Sequence, residues 1–298
     1  GIYNKDGIDL DSLVKFNQTG KDISDYPNGV LKNIDYTNLI EDTKVDYIIE
    51  ITPTNVETGE PGLSYIRQAL RNKIHVVTAN KGPILLAYEE LKNLAAQNNV
   101  KLGIGCTCGG ALPAVSGGLI DMAGAEILSI EGILNGTTNF ILECMDKENL
   151  SYEEALRIAQ NMGIAETNPR LDVEGWDTAI KLVILTNVLM DEHKTLEDVY
   201  VEGITNIAIE QVKKARKKGE KYKLIAKAFN KCGNIVMKVE PERIDSSHVF
   251  YNVDGKNKAI LYRSNTLGNI TIMGGASDVN AAAASILRDI VNIHNSII

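Results

Sequence analysis

The sequence predicts an α/β chain: a parallel sheet with covering helices, followed by an α+β unit whose sheet is antiparallel. Three observations carry this. Up to residue 106, short apolar runs alternate with amphipathic segments, the strand–helix–strand rhythm of a parallel sheet. Beyond residue 220, strand-like runs follow one another with turn residues between them, which suits hairpins. The 298 residues, 44% hydrophobic and 23% charged, suffice for two domains with real cores.

Residues 1–40 are polar, with Gly, Asn and Asp scattered through them, and read as loops around short helices. "DYIIEIT" (46–52) is a compact apolar run ending in Thr-Pro, a buried strand. "GLSYIRQALRNK" (62–73) has helical periodicity, and "IHVVTA" (74–79) is a second buried strand. "PILLAYEELKNLAAQNN" (83–99) is an amphipathic helix with Pro83 in its first turn, where a missing N–H costs nothing. "VKLGIGC" (100–106) reads as a third strand. After "GGALP" the rhythm changes, which places the domain boundary near 113–124. "AEILSIEGIL" (125–134) is a longer strand and "TTNFILECMDK" (137–147) a helix. In "SYEEALRIAQNMG" (151–163), Ser151 with Glu154 makes a capping box and Gly163 stands at the C-cap. "YKLIAKAFN", "NIVMKVEPERI", "KAILYRS" and "GNITIMG" are the antiparallel strands, and "NAAAASILRDIVNI" (280–293) is a closing helix that returns to the first domain. The division expected is 1–113, joined by 279–298, and 114–278.

A formal net charge of -8 argues against nucleic acid or an anionic membrane as partner. The basic run "KKARKKGEKYK" (213–223) reads as a solvated helix face and turn. No stretch of 18 apolar residues spans a bilayer, and residues 1–13 lack the blocks of a signal peptide. The four cysteines have no disulfide-framework or paired metal-ligand spacing, so reduced thiols in a cytoplasm are expected.

"NPRLDVEGWDTAIK" (168–181) carries the chemistry. In a helix beginning after Gly175, Asp177 and Lys181 are i and i+4 on one face, and Ile184 and Leu185 continue that face into the core. The charged pair thus extends a core-facing stripe. At an effective dielectric of about 20, two charges ~4 Å apart interact by roughly 4 kcal/mol, which favours the charged amine against burial. A positioned ammonium can hand a proton to a carbonyl oxygen as that oxygen gains charge; in reverse it must first lose a proton, so alkaline pH should favour the reverse reaction. An ordinary surface salt bridge explains the spacing equally well. Glu166, Asp172 and Asp177 put three carboxylates within twelve residues, a cluster suited to a substrate ammonium or, less well without a nearby histidine, a divalent metal. N-capping by Asp172 is the plainer alternative.

"NMGIAETNPRLDVEGWDTAIK", with "EITPTNVETGEPGLSYIRQALRNKIHVVTANKGPI" (50–84) and "EGILNGTTNFIL" (131–142), resembles the signature blocks of homoserine dehydrogenases over most of the chain. The resemblance implies a Rossmann-type remnant before an α+β catalytic and dimerisation domain, and NAD- or NADP-dependent interconversion of homoserine and aspartate semialdehyde. It implies a homodimer, with a small amino acid as partner. Position by position, it implies that Lys181 transfers the proton and that Lys81 stands near cofactor and substrate. Glu166 and Asp177 would hold the substrate's amino and hydroxyl ends, with Asp172 a further acid. Gly136 and Thr137 would open a helix that seats the carboxylate. Thr52, Gly163 and Gly275 would lie along the cofactor. The plainer readings are a helix C-cap for Gly163, an N-cap for Thr137 and a surface lysine for Lys81.

Three departures accompany the likeness. No G-x-G-x-x-G fingerprint is present, and the family pattern would place it before residue 1; "GIGCTCGG" (103–110) follows the third strand and reads as a decoy. The family's monovalent cation, such as Na+, would be held by a glutamate where this chain has Gly105, leaving the carbonyls of Cys108, Gly110 and Leu112. In "GGASD" (274–278), Ser277 and Asp278 are expected to crowd a cofactor phosphate. No regulatory domain is expected after the last helix. Two other readings stand beside this one: Cys106 or Cys108 as a thiolate nucleophile with His75 as base, and a non-catalytic oligomeric or metabolite-binding relative.

Overall fold

The computed structural model describes residues 2–4, 6–27, 31–32, 40, 45–276 and 278–297. In chain order its elements begin with strand β1 (Ile2–Tyr3), helix α1 (Leu10–Asn17) and β2 (Leu31–Lys32), which pairs antiparallel with β1. Then come β3 (Tyr47–Glu50), α2 (Gly62–Arg71), β4 (His75–Thr78), α3 (Lys81–Gln97) and β5 (Leu102–Gly103). These three strands form a parallel sheet in the order β3-β4-β5. The parallel rhythm is therefore present, with two adjustments. The strand expected over 100–106 pairs only at Leu102–Gly103, because the next residues turn away. Helix α3 starts two residues before Pro83, with the Asn80 side chain accepting from the Gly82 N–H, and kinks at Ala87.

Ala114–Ser116 is a short helix that runs into a π-helical turn, Gly117–Asp121. The second half continues with β6 (Ile127–Ile133), α4 (Gly136–Glu148), α5 (Tyr152–Asn161), α6 (Arg170–Val173), α7 (Trp176–Leu189), β7 (Val199–Val201) and α8 (Ile209–Arg216). It ends with β8 (Lys221–Lys231), β9 (Asn234–Ile244), β10 (Lys258–Ser264), β11 (Asn269–Gly274) and α9 (Val279–His294). Six strands form one sheet in the order β11-β10-β6-β8-β9-β7. All its pairs are antiparallel except β7 with β9, where the three-residue β7 docks parallel and the chain reaches β9 by way of α8 and β8. Nothing in so short a run announces that pairing.

The α5 ends follow the sequence closely. Its capping box is formed, and Gly163 at φ +66 completes the C-terminus: its own N–H donates to the Gln160 carbonyl and that of Ile164 to the Ala159 carbonyl. The cap residue itself is Met162, so Gly163 stands one place beyond. Helix α7 is the central element. Nine of its residues, Asp177 to Ala179 among them, are buried between the six-stranded sheet and α3, and Ile184 and Leu185 are in the main core. A helix apolar nearly all round belongs in a core. The basic run behaves as a solvated surface except at Lys223, which is 2% exposed and donates to Asn139 Oδ1 (2.9 Å) and the Val253 carbonyl (2.5 Å). Among the described residues no helix is long and apolar enough to cross a membrane.

Candidate active site

Lys181 points inward from the first turns of α7, and its ammonium donates to Asp177 Oδ2 (2.5 Å) and to the Leu134 carbonyl (2.8 Å) at the end of β6. From the other half of the chain, Lys81 at the start of α3 donates to the second oxygen, Asp177 Oδ1, at 2.6 Å. Asn135 closes the cluster. Its Nδ2 bridges Asp172 Oδ1 (2.6 Å) and Asp177 Oδ2 (2.8 Å), while its Oδ1 caps α4 by accepting from the Thr138 N–H. This is no surface pair: side-chain exposure is 13% for Lys181 and 10% for Asp177. An ammonium has three donors, so Lys181 keeps one to offer and Lys81 two.

Burial opposes ionisation of Asp177, but Lys181 and Lys81 outweigh it and hold the carboxyl well below the ordinary carboxylate range. Burial likewise opposes the charge on Lys81, and Asp177 outweighs it, so its pKa is raised. Asp172 moves the other way: burial and then the charge of Asp177 raise it. Two carboxyl groups joined by one amide are thus driven apart in acidity.

The cluster floors a cavity of about 260 Å³ lined by Asn135, Gly136, Thr137, Gly163, Ile164, Asp172, Asp177, Lys181, Lys256 and Lys258. That is smaller than the ~300–1,000 Å³ of drug-sized pockets and suits a small metabolite. Gly136 is the first residue of α4, held so close to the Lys256 carbonyl that a Cβ would lie 2.6 Å from it. Asn135, not Thr137, is the N-cap, and Thr137 instead donates its hydroxyl to the Ile164 carbonyl at 3.1 Å. Asp172 caps nothing: it is the third residue of α6, and α7 is entered through Gly175 at φ +90.

Other expected residues lie elsewhere. Glu166 is exposed and outside the cavity lining, with its carbonyl accepting from Gln160 Nε2. Thr52 follows β3, and its N–H and hydroxyl both donate to Glu50 Oε1, at 2.7 and 2.6 Å. Gly275 packs on the 109–112 loop, where a Cβ would lie 2.6 Å from Leu112 N. Asp278 caps α9 through the Ala281 N–H; Ser277 lies outside the described residues. At Gly105, the carboxylate of Asp289 fills the space of the absent side chain and accepts from the Gly105 N–H at 2.6 Å. The Leu112 carbonyl accepts from Ala114 N at 2.8 Å, and a Cβ on Gly110 would lie 3.7 Å from Lys258 Nζ. Lys258 thus stands next to Gly110, between this loop and the cavity. Among the described residues no three His, Cys, Asp or Glu side chains are grouped to hold a metal.

The thiolate reading fails on burial. Cys108 is fully buried, which pushes its thiol up to about 12, and Cys106 is raised by burial and by Asp289. Their thiols meet the carbonyls of Lys181 and Ala282, and His75 accepts from the Lys101 N–H. "GIGCTCGG" opens onto turns, not a helix.

Asn135, Lys256 and Lys258 escaped the sequence reading. An Asn just before the helix beginning at Gly136 is an N-cap signal that should have pointed to Asn135. A lysine opening a strand gives no comparable signal.

Comparison with known proteins agrees with this geometry. Residues 113–291 match the family model for homoserine dehydrogenase. The homoserine dehydrogenase of Methanocaldococcus jannaschii is 39% identical over 98% of this chain and 85% of its own length. The NAD(+)-dependent homoserine dehydrogenase of Pseudomonas canavaninivorans is 36% identical over 99% of this chain and 84% of its own. A crystal structure of a putative homoserine dehydrogenase from Archaeoglobus fulgidus superposes with TM-score 0.84 at 34% identity, covering 95% of this chain and 83% of that one. With matches of this length and identity, the chain belongs to the homoserine dehydrogenase family.

Proposed function

We propose that this chain is an oxidoreductase that interconverts L-homoserine and L-aspartate 4-semialdehyde with NAD or NADP, and that Lys181 moves the proton. The observation that carries this is the inward Lys181–Asp177 pair at the floor of a small polar cavity, with Lys81 held on the same carboxylate. Family membership and the NAD(+)-dependent relative support the reaction and the cofactor class.

Asp177 and the Leu134 carbonyl fix Lys181, leaving one donor for the substrate's terminal oxygen. In reduction that ammonium gives its proton to the oxygen as charge develops; in oxidation the neutral amine takes the hydroxyl proton. Lys81 shares the same carboxylate and places a second positive charge beside that oxygen. Asp172 faces the cavity and offers an acceptor to the substrate ammonium; we assign this role to Asp172 and leave the exposed Glu166 at the rim. The first-turn N–H groups of Gly136 and Thr137 provide an anion seat.

A nicotinamide cofactor fits the carboxyl ends of β3 and β4, the usual ligand edge of a parallel sheet, since Thr52 and Lys81 both stand there. When bound, it supplies the hydride donor or acceptor. Gly163, with open space around its Cα and a place in the cavity lining, lets a ligand approach closely. On this reading residues 1–113 with 279–298 hold the nucleotide and residues 114–278 hold the substrate, in a cytoplasmic homodimer.

The test is Lys181→Ala. Turnover of homoserine should fall by about 10²–10⁴-fold while nucleotide affinity, measured by fluorescence titration, stays within a factor of about three. Near-normal turnover would remove Lys181 from the chemistry.

A further inference from the structure

Lys258 is a buried cavity residue whose charge the proton transfer leaves unexplained. It opens β10, opposite Gly274 of β11, and its side chain lies on the face of the sheet that carries α7. The residue is only 5% exposed, yet it lines the cavity. Among the described residues its Nζ has no hydrogen-bond or ion-pair partner. An ammonium withdrawn from water and left unpaired is costly. Burial first, and then the facing charge of Lys181, lower its pKa to about 8, against the opposing pull of Asp177 and Cys106. Asp177 relieves it only in part, because its oxygens accept from Lys181, Lys81 and Asn135 and from no atom of Lys258.

The first turn of α4 lies beside it. The Lys256 carbonyl lies against Gly136, which brings the strand carrying Lys258 alongside the start of that helix. Asn135 caps only the Thr138 N–H, so the Gly136 and Thr137 N–H groups keep their donors. A buried ammonium and a 13-residue helix N-terminus therefore converge on one cavity wall. Both call for an anion.

We propose that Lys258 is the charged partner that completes the carboxylate seat at the Gly136–Thr137 N–H groups, and that it makes the substrate's α-carboxylate a requirement for tight binding. This rests on the reading of the site as an amino-alcohol dehydrogenase. A nucleotide phosphate is the other source of an anion. The cavity favours the substrate, because its lining holds Lys181, Asp177 and Asp172 but neither Thr52 nor Gly275. The carboxylate and ammonium of one small zwitterion then meet Lys258 and Asp172 while its hydroxyl reaches Lys181.

The experiment compares the full-length chain with Lys258→Met and Lys258→Arg. It reads kcat and KM for homoserine, KM for the nucleotide, and the inhibition constant of 3-aminopropan-1-ol, which is homoserine without its carboxylate. Lys258→Met should raise the homoserine KM roughly 10- to 100-fold and change kcat less than about threefold. The nucleotide KM and the amine's inhibition constant should stay put, and Lys258→Arg should recover most of the loss. Lys258→Gln gives the same readout if the Met variant does not fold. An unchanged homoserine KM, a parallel loss for the amine, or a loss confined to the nucleotide would overturn the subsite. A wild-type enzyme that does not oxidise homoserine at all would instead overturn the reading beneath it.

Discussion

Asp177 is the residue on which the site turns, and its chemistry has a consequence for stability. Its carboxylate is ionised, nearly buried and shared between two ammonium groups. Because its folded pKa is depressed, the stability it contributes is fully present above the unfolded value of about 4 and is lost as pH falls toward the folded one. Asp177→Asn leaves two ammonium groups near each other without their acid. It should cost about 3 kcal/mol at pH 7, and the difference from wild type should shrink as pH drops below about 4. Urea titrations at pH 7 and pH 3 check this; a gap that is constant or widens in acid contradicts it. The helix spacing made the Asp177–Lys181 pair legible in the sequence. Lys81 becomes its second partner only through folding, since 96 positions separate it from Asp177.

At the level of elements, local rules explain the ends that were read well. The α5 capping box and the left-handed glycine beyond its C-cap depend on residues a few positions apart, so the sequence states them directly. The short β5 and the parallel docking of β7 depend on distant strands, and no local pattern records them. Gly136 belongs to this second kind. Its need for a missing side chain comes from the Lys256 carbonyl, 120 positions away, not from its own backbone angles. Gly136→Ala should push the start of α4 off that carbonyl and disturb the anion seat. We expect the homoserine KM to rise at least tenfold, by the order of one lost charge-assisted contact, with nucleotide KM unchanged. Equal loss in both would show a general collapse instead.

In the whole molecule, the last helix ties back to the first sheet. Asp289 of α9 is 2% exposed and accepts from the Gly105 N–H just past β5, which joins residues 184 positions apart. Gly103 and Gly105 leave the room: a Cβ on either would lie within 3 Å of Asp289. Asp289→Ala strands a buried N–H and should destabilise the fold by about 1–3 kcal/mol. Thermal denaturation reads this, and an unchanged midpoint would show that the contact contributes nothing. Gly105 raised an expectation of a lost acidic side chain; the fold answers with an acid from the other end of the chain.

By itself the sequence determined the strand and helix rhythm and the inward face of the helix bearing Asp177 and Lys181, because periodicity and spacing are properties of neighbouring residues; the family was legible in the likeness of whole sequence blocks. Only the tertiary structure decided which partners complete the site. It brought Asn135 and Lys258 to the cavity lining, set Lys81 against Asp177 and left Glu166 in solvent, since each position depends on where separate elements pack, and packing is set by shape and burial summed over the whole core.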